Sequence, residues 1–285
     1  MDHPPEVSLP TASRLRWSGL TDRGKIRANN EDSFLGLRFD AREVHRLGKT
    51  GEASTADMDF AFAVSDGMGG AMAGEFASRI TVDKITRFLP RAFKLAASGL
   101  DAGRGDVLGE LFTAIHQSMN ELDRCYPECA GMGATLSLSW FTPGWMFFAH
   151  VGDSRIYYLP ASGELKQLTM DDTFVGWLYR NGKLSEYEAR THPARNRLQK
   201  ALGGGNQFVA PQLGAVGYEL GDAFVLCTDG ITDGLYDSQI SRCLRSPNPA
   251  GPSAAPGPNP AERLVRTALE HSGRDNTTAL VIEVT

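Results

Sequence analysis

Two periodicities run along the chain and separate its helices from its strands. Over 74–89 the apolar residues Phe76, Ile80, Ile85, Phe88 and Leu89 recur at the spacing of one helix face, and Pro90 is expected to end that helix. Over 106–124 Leu108, Leu111, Phe112, Ile115, Met119 and Leu122 make a single apolar stripe. Leu264, Val265, Ala268 and Leu269 do the same over 261–271. These faces predict core packing and carry no chemistry. Strand alternation is clearest where Leu136, Leu138 and Trp140 interleave with Ser137 and Ser139. Thr142, Pro143 and Gly144 then form a turn signal, and 145–151 runs back as a second strand. The stretch 129–152 has no Asp, Glu, Lys or Arg and is long enough to cross a bilayer. Its glycines, serines and central turn make it a buried hairpin, so no membrane role is expected.

Three near-continuous apolar runs share an ending. The run 60–64 leads to Asp66 and Gly67, 146–151 leads to Gly152 and Asp153, and 223–227 leads to Asp229 and Gly230. A fourth acid, Asp275, stands just before the run 277–284. In antiparallel neighbours the end of one strand lies beside the start of the next, so four acids separated in sequence can gather at one sheet edge. A single Asp-Gly commonly does no more than turn the chain. Three at strand ends together with Asp275 point to a shared task.

Gathered carboxylates repel one another and need a cation among them. No Lys or Arg adjoins Asp66 or Asp229 in sequence. Oxygen ligands without neighbouring His or Cys favour Mg²⁺ or Mn²⁺ over Zn²⁺, and Gly67 and Gly230 allow tight turns that offer a carbonyl. Two such ions activate water and clamp a phosphoryl group. Upstream, Arg27 offers a planar fork for phosphate, with Glu31 and Asp32 placed to hold metal-bound waters.

Composition narrows the class. With 29 basic against 34 acidic residues in 285, the net charge is −5, which gives no footprint for coating nucleic acid. A 41% hydrophobic content excludes wholesale disorder. Cys125, Cys129, Cys227 and Cys243 are too few for a disulfide scaffold and read as reduced thiols of a cytoplasmic protein. No secretory leader is evident at the N-terminus. The Pro-, Ala- and Gly-rich stretch 246–260 predicts a mobile surface loop, and polar 42–56 a loop or hairpin tip. Both are insertions within a single domain, 1–285.

An ordered motif set now becomes informative: Arg27 with Glu31 and Asp32; Asp66 to Gly70; Gly133 to Thr135; Gly152 to Arg155; Leu168 and Thr169; Ala201 to Gly203; Thr228 to Gly230; and Asp275 with Asn276. It resembles the PPM family, the metal-dependent serine/threonine phosphatases of type 2C, in its bacterial branch, from about residue 15 to the C-terminus. The resemblance implies an α+β fold, a four-layer α-β-β-α sandwich of two antiparallel sheets, with 172–201 as a flap subdomain. It implies that Asp66 bridges two metals, that the Gly67 carbonyl, Asp229 and Asp275 complete their shell, and that Asp32 and Glu31 act through water. Asp153 matches a third, weaker metal position, and Arg27 the phosphate contact. The implied activity is hydrolysis of phosphoserine and phosphothreonine in proteins by metal-activated water, reversing a cognate Ser/Thr kinase. The protein is expected to be a monomer. Two departures stand out: Met68 replaces the His of eukaryotic members, and Asp172 stands where His is common. His150 reads as a core histidine and Asp233 as a turn residue. The competing readings are a non-catalytic binding or scaffold protein, which loss of the acids would favour, and an aspartyl-nucleophile hydrolase, which lacks its Asp-x-Asp strand end.

Overall fold

The computed structural model describes residues 13–69, 71–97, 103–206, 208–246 and 257–285. Fourteen strands form among them: β1 (Arg14–Asp22), β2 (Asp32–Phe39), β3 (Val44–Arg46), β4 (Thr50–Ser54), β5 (Asp59–Met68), β6 (Gly133–Ala134), β7 (Leu136–Thr142), β8 (Trp145–Val151), β9 (Arg155–Leu159), β10 (Lys166–Gln167), β11 (Leu202–Gly203), β12 (Gln212–Gly217), β13 (Ala223–Cys227) and β14 (Thr277–Val284). The helices are α1 (Ala71–Ala97), α2 (Arg104–Cys125), α3 (Phe174–Arg180), α4 (Glu186–Thr191), α5 (Asp229–Gly234), α6 (Asp237–Arg245) and α7 (Pro260–His271).

One sheet has the order β10-β9-β13-β14-β1-β4. The other runs β3-β2-β5-β7-β8-β12, with short β6 and β11 extending the end of β5. Every strand pairing is antiparallel.

The two-sided burial of the central strands explains their unbroken apolar runs. On β5, Phe60, Phe62 and Val64 face the other sheet, while Ala61 and Ala63 join a separate core beneath α1 and α2. On β14, Leu280 and Ile282 face inward, and Ala279 and Val281 pack beneath α7 with Val225 and Cys227. Period-two alternation thus divides each strand between two cores, and three cores separate four layers. Phe62, Phe141 and Phe224 meet edge to face in the central one, at centroid distances of 5.8 and 5.2 Å. The expected four-layer sandwich is the fold.

Local expectations fail where packing overrides them. α1 continues through Pro90 to Ala97, one backbone donor short. The 42–56 stretch is no hairpin tip: β3 pairs with β2 in one sheet and β4 with β1 in the other, so this polar segment crosses between the layers at their edges. The expected loop 246–260 lies largely outside the described residues; its last two residues, Asn259 and Pro260, are the N-cap and first turn of α7, where Asn259 Oδ1 accepts the Glu262 N–H at 3.0 Å. The 129–152 stretch is the expected hairpin of β7 and β8, with Gly144 at φ +74° in its turn. Among the described residues no helix is long and apolar enough to cross a membrane.

Candidate functional site

β5 extends to Met68, so Asp66 sits within the strand and not in the turn beyond it, directly opposite Asp32 of β2. β7 is antiparallel to both β5 and β8, which makes β5 and β8 end at the same edge and brings Asp153 there. In the other sheet β13 and β14 are antiparallel, so Asp229, just past the end of β13, lies next to Asp275, just before β14. Asp229 is the first residue of α5. A cleft of about 440 Å³ at this edge is lined by Arg27, Glu31, Asp66, Gly67, Asp153, Asp229 and Asp275, with Asn196 and Leu198 contributed by the 172–201 segment. Asp32 is not on its wall. It stands behind, where its Oδ2 accepts hydrogen bonds from Thr228 Oγ1 at 2.8 Å and Thr278 Oγ1 at 2.6 Å.

The surrounding backbone is fixed at short range. Asn276 staples the 23–31 loop to the start of β14: its Oδ1 accepts the Glu31 N–H at 2.8 Å, and its Nδ2 donates to the carbonyls of Arg23 and Asn29, both at 2.9 Å. Thr135 Oγ1 accepts the Asp66 N–H at 3.0 Å and bonds Ser154 Oγ at 2.7 Å. Gly67 has to be glycine, because a Cβ there would stand 1.9 Å from the Gly74 carbonyl oxygen of α1.

Burial first, and then the neighbouring carboxylates, push Asp66 and Asp229 well above the usual carboxylate range. For Asp66 the neighbours are Asp32, Asp229, Asp153 and Asp275; for Asp229 they begin with Asp153 and Asp275. Burial also raises Asp32 to about 7, against the pull of its two threonines. Asp153 reaches about 7 by burial and the nearby Asp171, partly offset by Arg155. Burial lifts Glu31 as well. The cation closest at hand is Arg27, whose Nη2 lies 2.7 Å from Asp275 Oδ2.

As the side chains stand, no three His, Cys, Asp or Glu residues among those described close around one point. The donors nevertheless suit a hard divalent ion. All are oxygens, and Asp32 Oδ1 and Asp229 Oδ1 are buried without a hydrogen-bond partner, a cost that a cation removes.

Of the other residues, Asp233 departs from its expectation, His150 meets it, and a few escaped the sequence reading. Asp233 is in α5 and not in a turn, and its Oδ2 pairs with Arg195 Nη2 at 3.2 Å. His150 is a core histidine: fully buried, it donates from Nε2 to the Gly152 carbonyl at 3.0 Å and accepts Ser137 Oγ–H on Nδ1 at 2.9 Å. Burial holds its pKa down, which keeps this neutral tautomer in place. Arg155 grips Asp171 with Nε and Nη2 at 2.9 and 2.7 Å, behind Asp153. Asn276 and Thr135 carried only family motifs in sequence. Thr135 reaches Asp66 across 69 positions and Asn276 reaches Arg23 across 253, which no local pattern reveals.

The family model described as protein phosphatase 2C matches residues 49–255. The chain is 34% identical over 274 residues to the serine/threonine protein phosphatase PstP of Mycobacterium tuberculosis, covering 95% of this chain and 45% of that protein. It thus spans about half the length of that relative. It is 30% identical to the serine/threonine phosphatase stp of Listeria monocytogenes, over 92% of this chain and 93% of that one. Among solved structures, a serine/threonine phosphatase of S. agalactiae superposes with a TM-score of 0.77 at 28% identity, covering 95% of this chain and all of the other. The catalytic domain of PstP in complex with two manganese ions gives 0.73 at 30% identity, covering 96% of this chain and 100% of that one. With the motif order, the four layers and the acidic edge all accounted for, the chain belongs to the protein phosphatase 2C family.

Proposed function

We propose that this protein hydrolyses phosphoserine and phosphothreonine in proteins, with water as the attacking group and two divalent ions at the acidic edge. The observation that carries the reading is the group of Asp32, buried, with Asp66, Asp229 and Asp153, half-buried on the cleft wall, all with raised pKa values and two with orphaned carboxylate oxygens. Asp66, the Gly67 carbonyl, Asp229 and Asp275 would hold the ions directly, Glu31 and Asp32 would order the waters around them, and Asp153 would serve a third. When bound, Mg²⁺ or Mn²⁺ supplies positive charge for the phosphoryl oxygens and makes water more acidic.

The chain's own residues do the rest. Arg27 is half exposed at the cleft mouth, and its planar fork has N–H donors beyond the one on Asp275 to present to phosphate oxygens. Thr135 and Asn276 hold the Asp66 and Glu31 backbones still, so the carboxylates keep their places as the substrate arrives. Met68 has no titratable group and gives no proton to the departing alkoxide. A Ser/Thr kinase is the partner this chemistry requires, since it makes the substrate.

The test is release of phosphate from a phosphothreonine peptide with Mn²⁺, then with excess chelator. Turnover that stops with chelator and returns with Mn²⁺ supports the reading. Full activity in chelator overturns it, and absence of Mn²⁺ binding by calorimetry points to a non-catalytic phosphoprotein binder.

A further inference from the structure

At the base of the 172–201 segment, one carboxylate joins three pieces of chain. Asp172 Oδ2 accepts the Gly152 N–H at 3.2 Å, and its own N–H donates to the Gly152 carbonyl at 2.7 Å. Its Oδ1 lies 2.9 Å from Lys200 Nζ, and its carbonyl accepts the Gln199 N–H at 2.7 Å. Asp172 therefore ties the entry of the segment to its exit and both of them to the turn that carries Asp153. The side chain is largely buried, while Lys200 is half exposed.

Gly152 transmits this hold toward the cleft. Its φ is +112°, and a Cβ there would approach Thr135 Cβ to 2.6 Å, so its backbone lies directly on Thr135. Thr135 in turn takes the Asp66 N–H. The Gly152 carbonyl also receives His150 Nε2–H, which fixes the turn from the core side. At its far end the segment reaches the cleft again through Asn196 and Leu198, and Arg195 bonds Asp233 of α5.

We propose that Asp172 is a positioning residue that couples the 172–201 segment to the Asp153 turn, so that the wall of the cleft and its acidic floor move as one body. The coupling uses two separate hydrogen-bonding jobs of one carboxylate: an acceptor for Gly152, and a charge for Lys200. A side chain with a single acceptor has no pair of oxygens to do both. The inference rests on the phosphatase reading for its relevance to catalysis, but its test needs no turnover.

The measurement is amide hydrogen exchange on the full chain without metal, read in peptides spanning 150–156 and 174–198, with 279–284 as an internal control. Asp172→Ala should speed exchange about tenfold in both test regions and leave the control unchanged, the size expected for losing charge-assisted hydrogen bonds at a local opening. Asp172→Asn keeps an acceptor for Gly152 but loses the charge facing Lys200. It should hold 150–156 within about twofold of the parent while 174–198 still loosens. Lys200→Met should loosen 174–198 alone, and its half-exposed site makes it a folded control if Asp172→Ala does not fold. Parental exchange in both regions of Asp172→Ala overturns the proposal. So does equal loosening of 150–156 in the Asn and Ala variants, since packing and not hydrogen bonding would then set the turn. Failure of the unmodified protein to hydrolyse phosphopeptide in Mn²⁺ would sink the functional reading and leave these exchange results standing.

Discussion

β5 carries an acid near each end, Asp59 buried and Asp66 half-buried on the cleft wall, and the two live in opposite surroundings. Asp59 accepts Trp140 Nε1–H at 2.8 Å and feels the positive charge of Arg104, whose guanidinium lies 5.7 Å from the Trp140 ring centre. Burial raises its pKa, and those two partners pull it back. Asp66, seven residues on, has burial and four carboxylates, all acting in the same direction. A structural acid is one whose neighbours neutralise it within the protein. An acid left unneutralised by its own fold stores a cost that only something from outside removes, and that is the mark of a binding site.

The sharpest way to break this contrast is to neutralise each acid in turn. Asp66→Asn should lower Mn²⁺-dependent phosphopeptide hydrolysis by about 10³-fold or more, since it removes the proposed bridging ligand. The same change should raise the melting temperature of the metal-free protein by roughly 3 °C, because it removes repulsion. Asp59→Asn should do the reverse, leaving turnover within about twofold and lowering stability by about 1 kcal/mol. Loss of stability in Asp66→Asn, measured without metal, would place both acids in the structural class.

Arg27 comes next in size. Arg27→Ala should reduce kcat/KM about 10²-fold, and Arg27→Lys should restore little of it, because an ammonium has no planar fork for phosphate. Steady-state kinetics on one phosphopeptide compares the two.

The acidic edge should also impose a pH dependence on the metal-free fold. Asp32 and Asp153 rise from an ordinary 3.8 to about 7, so their contribution to stability is present below about 4 and is lost as pH climbs through 7. Calorimetric melting should show a fall of roughly 5 °C between pH 5 and pH 8 without metal, and Mn²⁺ at pH 8 should reverse it. A melting temperature that climbs over that interval would mean the carboxylates are already compensated. A last effect belongs to Asp59: Trp140→Phe, which leaves it without its indole donor, should cost about 1 kcal/mol in denaturant unfolding with no change in turnover.

Asp66, Asp153, Asp229 and Asp275 were legible before any fold because each flanks an apolar run, and antiparallel pairing sends such flanks to a common edge. The hairpin of β7 and β8 and the stripe of α2 were equally plain, since both follow a period set by local geometry. Pro90 misled because its local cost is outweighed over the long helix around it. The 42–56 stretch misled because edge strands that face solvent are polar and short, and so look like loops. Asp233 read as a turn for want of its partner, Arg195, which lies 38 residues away in sequence. Asp172 stood out only as a departure from a pattern; its ties to Gly152 and Lys200 exist only in three dimensions.

Sequence alone determined that the central strands are near-continuous apolar runs with carboxylates at or near their ends, because such runs and the residues that bound them are properties of neighbouring positions. Only the tertiary structure decided that Asp32 stands behind the cleft on two threonines, that Arg27 rests on Asp275, and that Asp59 sits beside an indole donor and Arg104 while Asp66 sits among four carboxylates. The energy of a charge depends on what lies within a few ångström of it. In this fold those neighbours are set by the register and packing of two sheets, which join residues more than two hundred positions apart.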